Sequence, residues 1–238
     1  PGDDAAVWAT SSPGNLIVAS VDAMTAGVHW LEGSEPTMTS SDVGWRAVAA
    51  SVSDIAAMGA IPQMLLISLT ISEFTSSDFV DGLVQGISDA CLFHEVKVAG
   101  GDLVKGSANG ISVTVIGEVE HYVDNRILRR DSAEVGDIVV VTGRLGVSAA
   151  GLSLIKSADE IEQSMEVLVR RHRRPEARVV VGRKALLAGA RCAIDISDGF
   201  LQDLGHIANA SRVDIEVICD DIPLEAAAVA FLGRSEAL

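Results

Sequence analysis

The sequence is poor in aromatic residues, and this limits how its core can be built. Phe, Trp and Tyr together make up 4% of the 238 residues, while 48% are hydrophobic. Ala, Val, Ile and Leu must therefore fill the core, which favours helices packed on a sheet over an aromatic-rich β-sandwich. We expect a globular protein of the α/β class.

Basic residues are also scarce. The chain has 18 Lys and Arg against 33 Asp and Glu, a formal net charge of −15. A protein that binds nucleic acid or an anionic membrane needs a basic surface, so we expect neither as a partner. Two interpretations of the acidity remain open: it keeps the protein soluble, or some carboxylates gather around divalent cations.

The chain has only three cysteines, and they are scattered. Cys91, Cys192 and Cys219 form no C-x-x-C pair and have no His at metal-ligand spacing, so neither a disulfide framework nor a zinc site is indicated. We therefore expect a reducing, cytoplasmic location, in keeping with the lack of a basic-apolar signal segment. Because the chain begins at Pro1 without Met, we also expect it to be part of a longer protein.

A membrane span is not expected, although residues 47–71 carry a single charge, Asp54. Gly59 and Pro62 divide this stretch into a helix that ends near Met58 and a buried strand at residues 64–71. Asp54 then lies in an otherwise apolar helix. A bare buried carboxylate costs several kcal/mol, so Asp54 must be solvated, be paired or bind a cation.

Several common catalytic motifs are missing. The sequence contains no G-x-x-x-x-G-K-[ST], no G-x-S-x-G and no H-E-x-x-H, and TGRLG at residues 142–146 is only a weak indication of a phosphate loop. Four of the five histidines are interpreted as surface or structural residues.

Strand-like and helix-like segments alternate along the chain. We predict a first domain at residues 1–120 and a second at 121–238, separated by a polar, Arg-rich connection. The first has strands at 16–21, 63–71, 95–99 and 110–119, with helices N-capped by Ser40 or Ser41 and by Ser76 or Ser77. The second has strands at 137–142, 192–196 and 213–218 with helices between them, and no closing strand, so we expect it to be incomplete.

Acidic residues recur where these predicted elements begin or end. In open α/β sheets ligands bind beyond the ends of the strands, and hard cations prefer carboxylate oxygen. Each residue alone is more often a turn former or a helix cap. Taken together, five of them are predicted to converge on one cleft: Asp4, Asp22, Asp54, Asp102 and Asp195.

Seven motifs, taken in order, resemble the thiamine-monophosphate kinases, a branch of the aminoimidazole ribonucleotide synthetase-like superfamily. They are PGDDAAV (1–7), ASVDAMTAGVHW (19–30), SDIAAMGA (53–60), GGD (100–102), VTGRLGVSAAGL (141–152), RRHRRP (170–175) and IDISDGF (194–200). The resemblance implies ATP-dependent, Mg²⁺-dependent phosphorylation of thiamine monophosphate to thiamine diphosphate. It also implies a two-domain fold whose N-terminal mixed sheet pairs with a second copy in a homodimer.

The resemblance also implies roles for individual residues, matched motif by motif. The Mg²⁺ ligands would be Asp4, Ser20, Asp22, Asp54, Asp102, Asp195 and Asp198. ATP would be contacted by Gly101, Asp102, Arg130 and Ser197. His29 would contact the substrate, and no residue beyond the metal ligands is assigned a catalytic role, because a phosphate acceptor is already deprotonated at neutral pH.

Some residues depart from the family pattern. Val21 replaces the usual Thr before Asp22, Leu103 and Val104 follow GGD, and Asp131 follows Arg130. Two alternatives therefore stay open: a related enzyme that phosphorylates an amide or carbamoyl oxygen, such as aminoimidazole ribonucleotide synthetase, and a nucleotide-binding paralogue without catalysis.

Overall fold

A five-stranded sheet from the first half of the chain is the frame of the molecule. The computed structural model describes residues 2–9, 16–33, 36–119, 126–157, 161–234 and 236–237. The strands are β1 (Ala6–Ala9), β2 (Leu16–Thr25), β3 (Ile61–Ser72), β4 (Lys97–Gly106) and β5 (Gly110–Val119). Their order is β1-β2-β5-β3-β4, and all neighbours are antiparallel except β3 and β4. The sheet is therefore mixed, as predicted.

The β3–β4 pair corrects one expectation. We predicted that a strand at 95–99 ends before GGD, but β4 continues through Gly100, Gly101 and Asp102 to Gly106. The parallel pairing with β3 includes Gly101, where a Cβ would lie 1.9 Å from the Ile67 carbonyl oxygen. The glycine thus permits close strand approach, and Asp102 lies inside a strand rather than after one.

Helices α1 (Ser40–Ala57) and α2 (Ser77–Phe93) follow β2 and β3. The α1 N-cap is Thr39, in a reciprocal capping box with Asp42, instead of the predicted Ser40 or Ser41, whereas Ser76 caps α2 as predicted. The inward side chains of α1 pack on β2, β3 and β5 in one apolar core. The predicted division of residues 47–71 is confirmed, and within the described ranges no helix has the length and apolar character to cross a membrane.

The second half contains helices α3 (Val147–Ser157), α4 (Glu166–Arg173), α5 (Val179–Leu187), α6 (Phe200–Ser211) and α7 (Ala226–Leu232). The strands predicted at 137–142, 192–196 and 213–218 are wrong, because these segments belong to no ladder in the described part of the chain. Their β-branched residues have a high propensity for strands, but a strand also needs a hydrogen-bonded neighbour. The predicted domain boundary at residue 120 lies outside the described residues.

Helix α1 is held by the second half of the chain. Arg174 donates to Asp42 Oδ1 (2.6 Å) and lies over the Trp45 ring, and the Trp45 indole donates to the Pro175 carbonyl (2.8 Å). His172 is buried next to the Arg46 guanidinium. Its burial and, to a smaller extent, the positive charge of Arg46 lower the pKa of His172 to about 4. The RRHRRP motif therefore fixes the helix that carries Asp54.

Candidate metal and nucleotide site

A polar cleft of about 280 Å³ opens where the two halves meet. It is lined by Asp3, Asp4, Ser20, Val21, Asp22, Asp54, Arg130, Ile194, Asp195, Ser197, Asp198, Asp203 and His206. Eight of these are the residues predicted as metal or nucleotide ligands, all except Gly101 and Asp102.

Three carboxylates meet inside this cleft. Asp4 precedes β1, Asp54 lies in the last turns of α1, and Asp195 precedes α6. Each offers an oxygen within 4.8 Å of the others. The Ser53 hydroxyl also donates to Asp195 Oδ2 (2.7 Å), so α1 supplies one carboxylate and orients another. Sequence reasoning missed Ser53, although it lies within the SDIAAMGA motif.

The charges of these carboxylates are poorly compensated. Burial is the main reason why the pKa of Asp54 is raised to about 7. The hydrogen bond from Ser20 lowers this pKa, whereas the carboxylates of Asp22, Asp195 and Asp4 raise it. Burial likewise raises the pKa of Asp4 to about 6, although Arg130 lowers it. Asp4 Oδ2 is buried and has no hydrogen-bond partner among the described residues. Several carboxylate oxygens around one point, one of them without a donor, suit a hard divalent cation.

Strand β2 provides two more predicted ligands. Ser20 and Asp22 share the strand face of the buried Val18 and Met24, which points towards α1. The Ser20 hydroxyl lies within hydrogen-bonding distance of Asp54 Oδ2 and of the Asp4 carbonyl oxygen. Burial and then Asp195 raise the pKa of Asp22, while nearby His29 lowers it. His29 therefore lies close to the cleft although it does not line it.

Arg130 is the basic side chain in the cleft lining. Its guanidinium forms an ion pair with Asp4, and its backbone N–H donates to Asp3 Oδ1 (3.3 Å). Asp3 itself is partly buried and holds the Arg129–Arg130 segment against the start of the chain. Arg130 thus offers a positive charge at the edge of an acidic site, which suits an anionic ligand.

Asp203 was not predicted, yet it shapes the loop before α6. Its side chain is 3% exposed, and Oδ2 accepts the backbone N–H groups of Ser197 (3.0 Å), Asp198 (3.2 Å) and Gly199 (3.1 Å). An acidic residue in the first turn of a helix is the signal that could have found it. The loop is thereby fixed with the Ser197 and Asp198 side chains at the cleft.

His206, one of the histidines interpreted as surface or structural residues, is exposed. It lines the cleft, and its ring nitrogen lies with carboxylate oxygens of Asp198 and Asp203 inside a 4.8 Å group. Because three amides already bind Asp203, this second group is less suited to a cation than the Asp4, Asp54 and Asp195 group.

The structure does not bring Asp102 and Gly101 to the cleft. Asp102 pairs with Ser68, Ser68 pairs with Ser112, and Ser112 pairs with Ala23. Paired residues of neighbouring strands point to the same face of a sheet, and Ala23 is exposed. Asp102 therefore lies on the sheet face opposite α1. Asp22 pairs with the buried Val113, which is on the α1 face. The expectation of one shared cleft is therefore wrong for Asp102 within one chain, because strand parity places it on the other face. Its role as a metal ligand stays a prediction.

Family models and individual relatives with similar sequences point to the same protein family. A family model described as "AIR synthase related protein, N-terminal domain" matches residues 2–119, and its C-terminal counterpart matches residues 134–234. The thiamine-monophosphate kinase of Aquifex aeolicus is 38% identical over 224 residues, which cover 94% of this chain and 69% of the relative. That of Bacillus subtilis is 38% identical, with 94% and 68% covered.

Solved structures agree. The structure titled "AaThiL complexed with AMPPCP and TMP" has a TM-score of 0.90 and 34% identity, and the match covers 100% of this chain and 75% of that one. The thiamine-monophosphate kinase of Stenotrophomonas maltophilia has a TM-score of 0.84 and 34% identity, with 94% and 70% covered. The resemblance seen in the sequence and the two-domain fold class are confirmed: the chain belongs to the thiamine-monophosphate kinase family of the AIR synthase-related proteins.

Proposed function

We propose that this protein transfers the γ-phosphoryl group of ATP to the phosphate of thiamine monophosphate, which gives thiamine diphosphate and ADP. The observation that carries the proposal is the meeting of Asp4, Asp54 and Asp195, with raised pKa values and an unpartnered oxygen, in a polar cleft. The relatives named as thiamine-monophosphate kinases, and the relative whose structure contains AMPPCP and TMP, supply the substrates.

Mg²⁺ fits the residues of this cleft. Asp4, Asp54 and Asp195 would hold it at the centre, with Ser20 and Asp22 beside them on β2 and Asp198 at the loop before α6. Bound there, Mg²⁺ would neutralise triphosphate charge during phosphoryl transfer. The protein's part is to keep five carboxylates close together in a fold that α1 and the RRHRRP segment hold rigid.

The remaining cleft residues bind and orient the two substrates. Arg130 would donate to phosphate oxygens of ATP once it leaves Asp4, and Ser197 would present its hydroxyl from a loop fixed by Asp203. His29 would donate to thiamine monophosphate, because its Nδ1 accepts from the Thr25 N–H (3.0 Å), which leaves the hydrogen on Nε2. The acceptor phosphate carries its own negative charge, so no general base is needed and we assign none.

We propose a homodimer built on β4 and the open sheet face. On that face Met64, Leu66 and Val104 are all more than 40% exposed, and β4 is an edge strand of the sheet in the described part of the chain. A second copy would cover both and would meet Gly101 and Asp102, which could then serve its nucleotide site. The test is Leu66→Asp: it should convert a dimer to a monomer in a sizing experiment, and a wild-type protein that is already monomeric would overturn this arrangement.

The two halves of the chain contribute different residues to the cleft and so have different proposed roles. We propose that residues 1–120 bind ATP and Mg²⁺ and form the dimer, while residues 121–238 complete the cleft with Arg130, Asp195 and the 197–199 loop. We also propose a cytoplasmic location, which three separate free cysteines support.

The function is tested by product analysis. Purified protein incubated with ATP and thiamine monophosphate should form thiamine diphosphate with Mg²⁺ and none with EDTA. ATP binding without any thiamine diphosphate would support a non-catalytic paralogue. Turnover only with an amide or carbamoyl substrate would place the protein with the aminoimidazole ribonucleotide synthetase-like enzymes, and either result would overturn the proposal.

A further inference from the structure

The turn that carries His29 depends on a residue 80 positions further along the chain. In this turn Gly27 N–H donates to the Trp30 carbonyl (2.8 Å), and His29 N–H donates to the Thr25 carbonyl (3.0 Å). Ala26 N–H donates to the carbonyl of Asn109 (2.9 Å), in the turn between β4 and β5. The His29 turn is therefore attached to a second loop at the same end of the sheet.

The Asn109 side chain extends this attachment to a third loop. It is 5% exposed, and its Oδ1 accepts from Ser72 N–H (2.9 Å) and from the Thr75 hydroxyl (2.7 Å). Because Oδ1 faces a backbone N–H, the orientation of the amide is fixed and Nδ2 must point the other way. Nδ2 donates to Glu32 Oε1 (3.0 Å).

Glu32 closes the connection to the His29 turn. The same Oε1 accepts the indole N–H of Trp30 (3.1 Å), and Trp30 is 3% exposed. One carboxylate oxygen thus joins the buried Trp30, next to His29, to the buried Asn109. Charge-assisted hydrogen bonds to a carboxylate are stronger than neutral ones, so this bridge restricts the turn more than its backbone bonds do alone.

We propose that Asn109 and Glu32 are positioning residues that hold the His29 turn in the geometry needed to bind thiamine monophosphate. The inference rests on the proposed function, in which His29 contacts that substrate. Their side chains bond to the Trp30 indole, to each other and to the turn at Ser72 and Thr75, so both act through Trp30 and the His29 turn rather than on the substrate. Their loss should weaken binding of thiamine monophosphate and leave ATP binding nearly intact.

The test is a set of Glu32 and Asn109 variants of the full chain. Glu32→Ala should raise the KM for thiamine monophosphate about tenfold and change the KM for ATP less than about twofold. Glu32→Gln keeps an acceptor for Trp30 and should restore most of the loss. The exposed Glu73, in the turn after β3, gives the matched control, since Glu73→Ala removes the same charge without touching the bridge.

A donor swap makes the test independent of simple destabilisation. Asn109→Asp keeps the acceptor for Ser72 and Thr75 but sets two carboxylates against each other, and it should raise the KM for thiamine monophosphate more than Glu32→Ala does. Combined with Glu32→Gln, whose amide N–H can donate to the new carboxylate, it should recover towards the wild-type value. Hydrogen exchange should report the same order of the variants at the amides of Thr25 and Ala26.

The possible outcomes separate the two proposals. A wild-type protein that makes no thiamine diphosphate overturns the proposed function and this inference with it. Normal wild-type turnover, combined with an unchanged KM in Glu32→Ala or with equal rises in both KM values, overturns the inference alone. Failure of the donor swap to recover would show that the pair does not act through the Asn109–Glu32 hydrogen bond.

Discussion

Asp54→Asn should reduce turnover by about 100- to 1000-fold and at the same time stabilise the metal-free protein. The loss follows because Asp54 lies with Asp4 and Asp195 in the carboxylate group and is the carboxylate that α1 contributes to the described cleft lining. The gain follows because a buried carboxylate beside Asp4, Asp22 and Asp195 is a cost to folding when no cation is present.

The pH dependence of stability tests the electrostatic part of this prediction. Since the pKa of Asp54 is raised to about 7, the folded protein binds a proton that the unfolded chain releases above pH 4. Without metal, wild-type stability should therefore fall as the pH rises from about 4 to 7. Asp54→Asn should reduce this fall and raise the free energy of unfolding at pH 8 by about 1 to 2 kcal/mol.

Thermal unfolding in EDTA, at pH 5 and pH 8, measures the change in stability of the metal-free protein. Titration with Mg²⁺ at pH 8 measures the loss of Mg²⁺ affinity. The exposed Asp81 on α2 supplies the control, because Asp81→Asn removes the same charge outside the cleft and should change neither quantity. A variant at Asp54 that unfolds more easily but keeps its activity per folded molecule would show that Asp54 is a structural residue.

Arg130→Met should raise the KM for ATP by about 30- to 100-fold. The guanidinium is the basic group of the cleft lining, and it holds two donors in a fixed plane that matches phosphate oxygens. Arg130→Lys keeps the charge but loses that fork, so an intermediate increase of about tenfold is expected.

The neighbouring arginine gives the matched control for this experiment. Arg129 pairs with Asp131 near the surface (2.6 Å), and Arg129→Met should leave the KM for ATP within about twofold of wild type. Steady-state kinetics at saturating thiamine monophosphate measure both. Equal effects at Arg129 and Arg130 would mean that the segment acts by folding against Asp3 and not by contact with ATP.

The first half of the fold could be predicted because its signals are local. The apolar, β-branched runs of β2 and β3, the alternation in β5 and the cap of α2 each arise within a few residues, so their positions needed no tertiary information. The strands predicted in the second half failed for the opposite reason. A β-branched run such as residues 137–142 indicates a strand, but only a neighbouring strand makes it one.

The site was predictable to the extent that motifs mark strand and helix ends. Asp4, Asp54 and Asp195 were placed correctly in one cleft, since each lies next to the end of an element. Asp102 was not, because its face depends on the register of β4 against β3, which the glycines and a bulge near Leu65 and Leu66 set. Asp203 and Asn109 act through hydrogen bonds to loops that become neighbours only after folding.

The most direct test of the account is to locate the cation itself. Crystals grown with Mn²⁺ and a non-hydrolysable ATP analogue should show an anomalous peak between the carboxylates of Asp4, Asp54 and Asp195, about 2.0 to 2.4 Å from their oxygens. The analogue's phosphates should lie beside that peak. A peak only at Asp198 and His206, or nucleotide bound with no metal between the three carboxylates, would contradict the account.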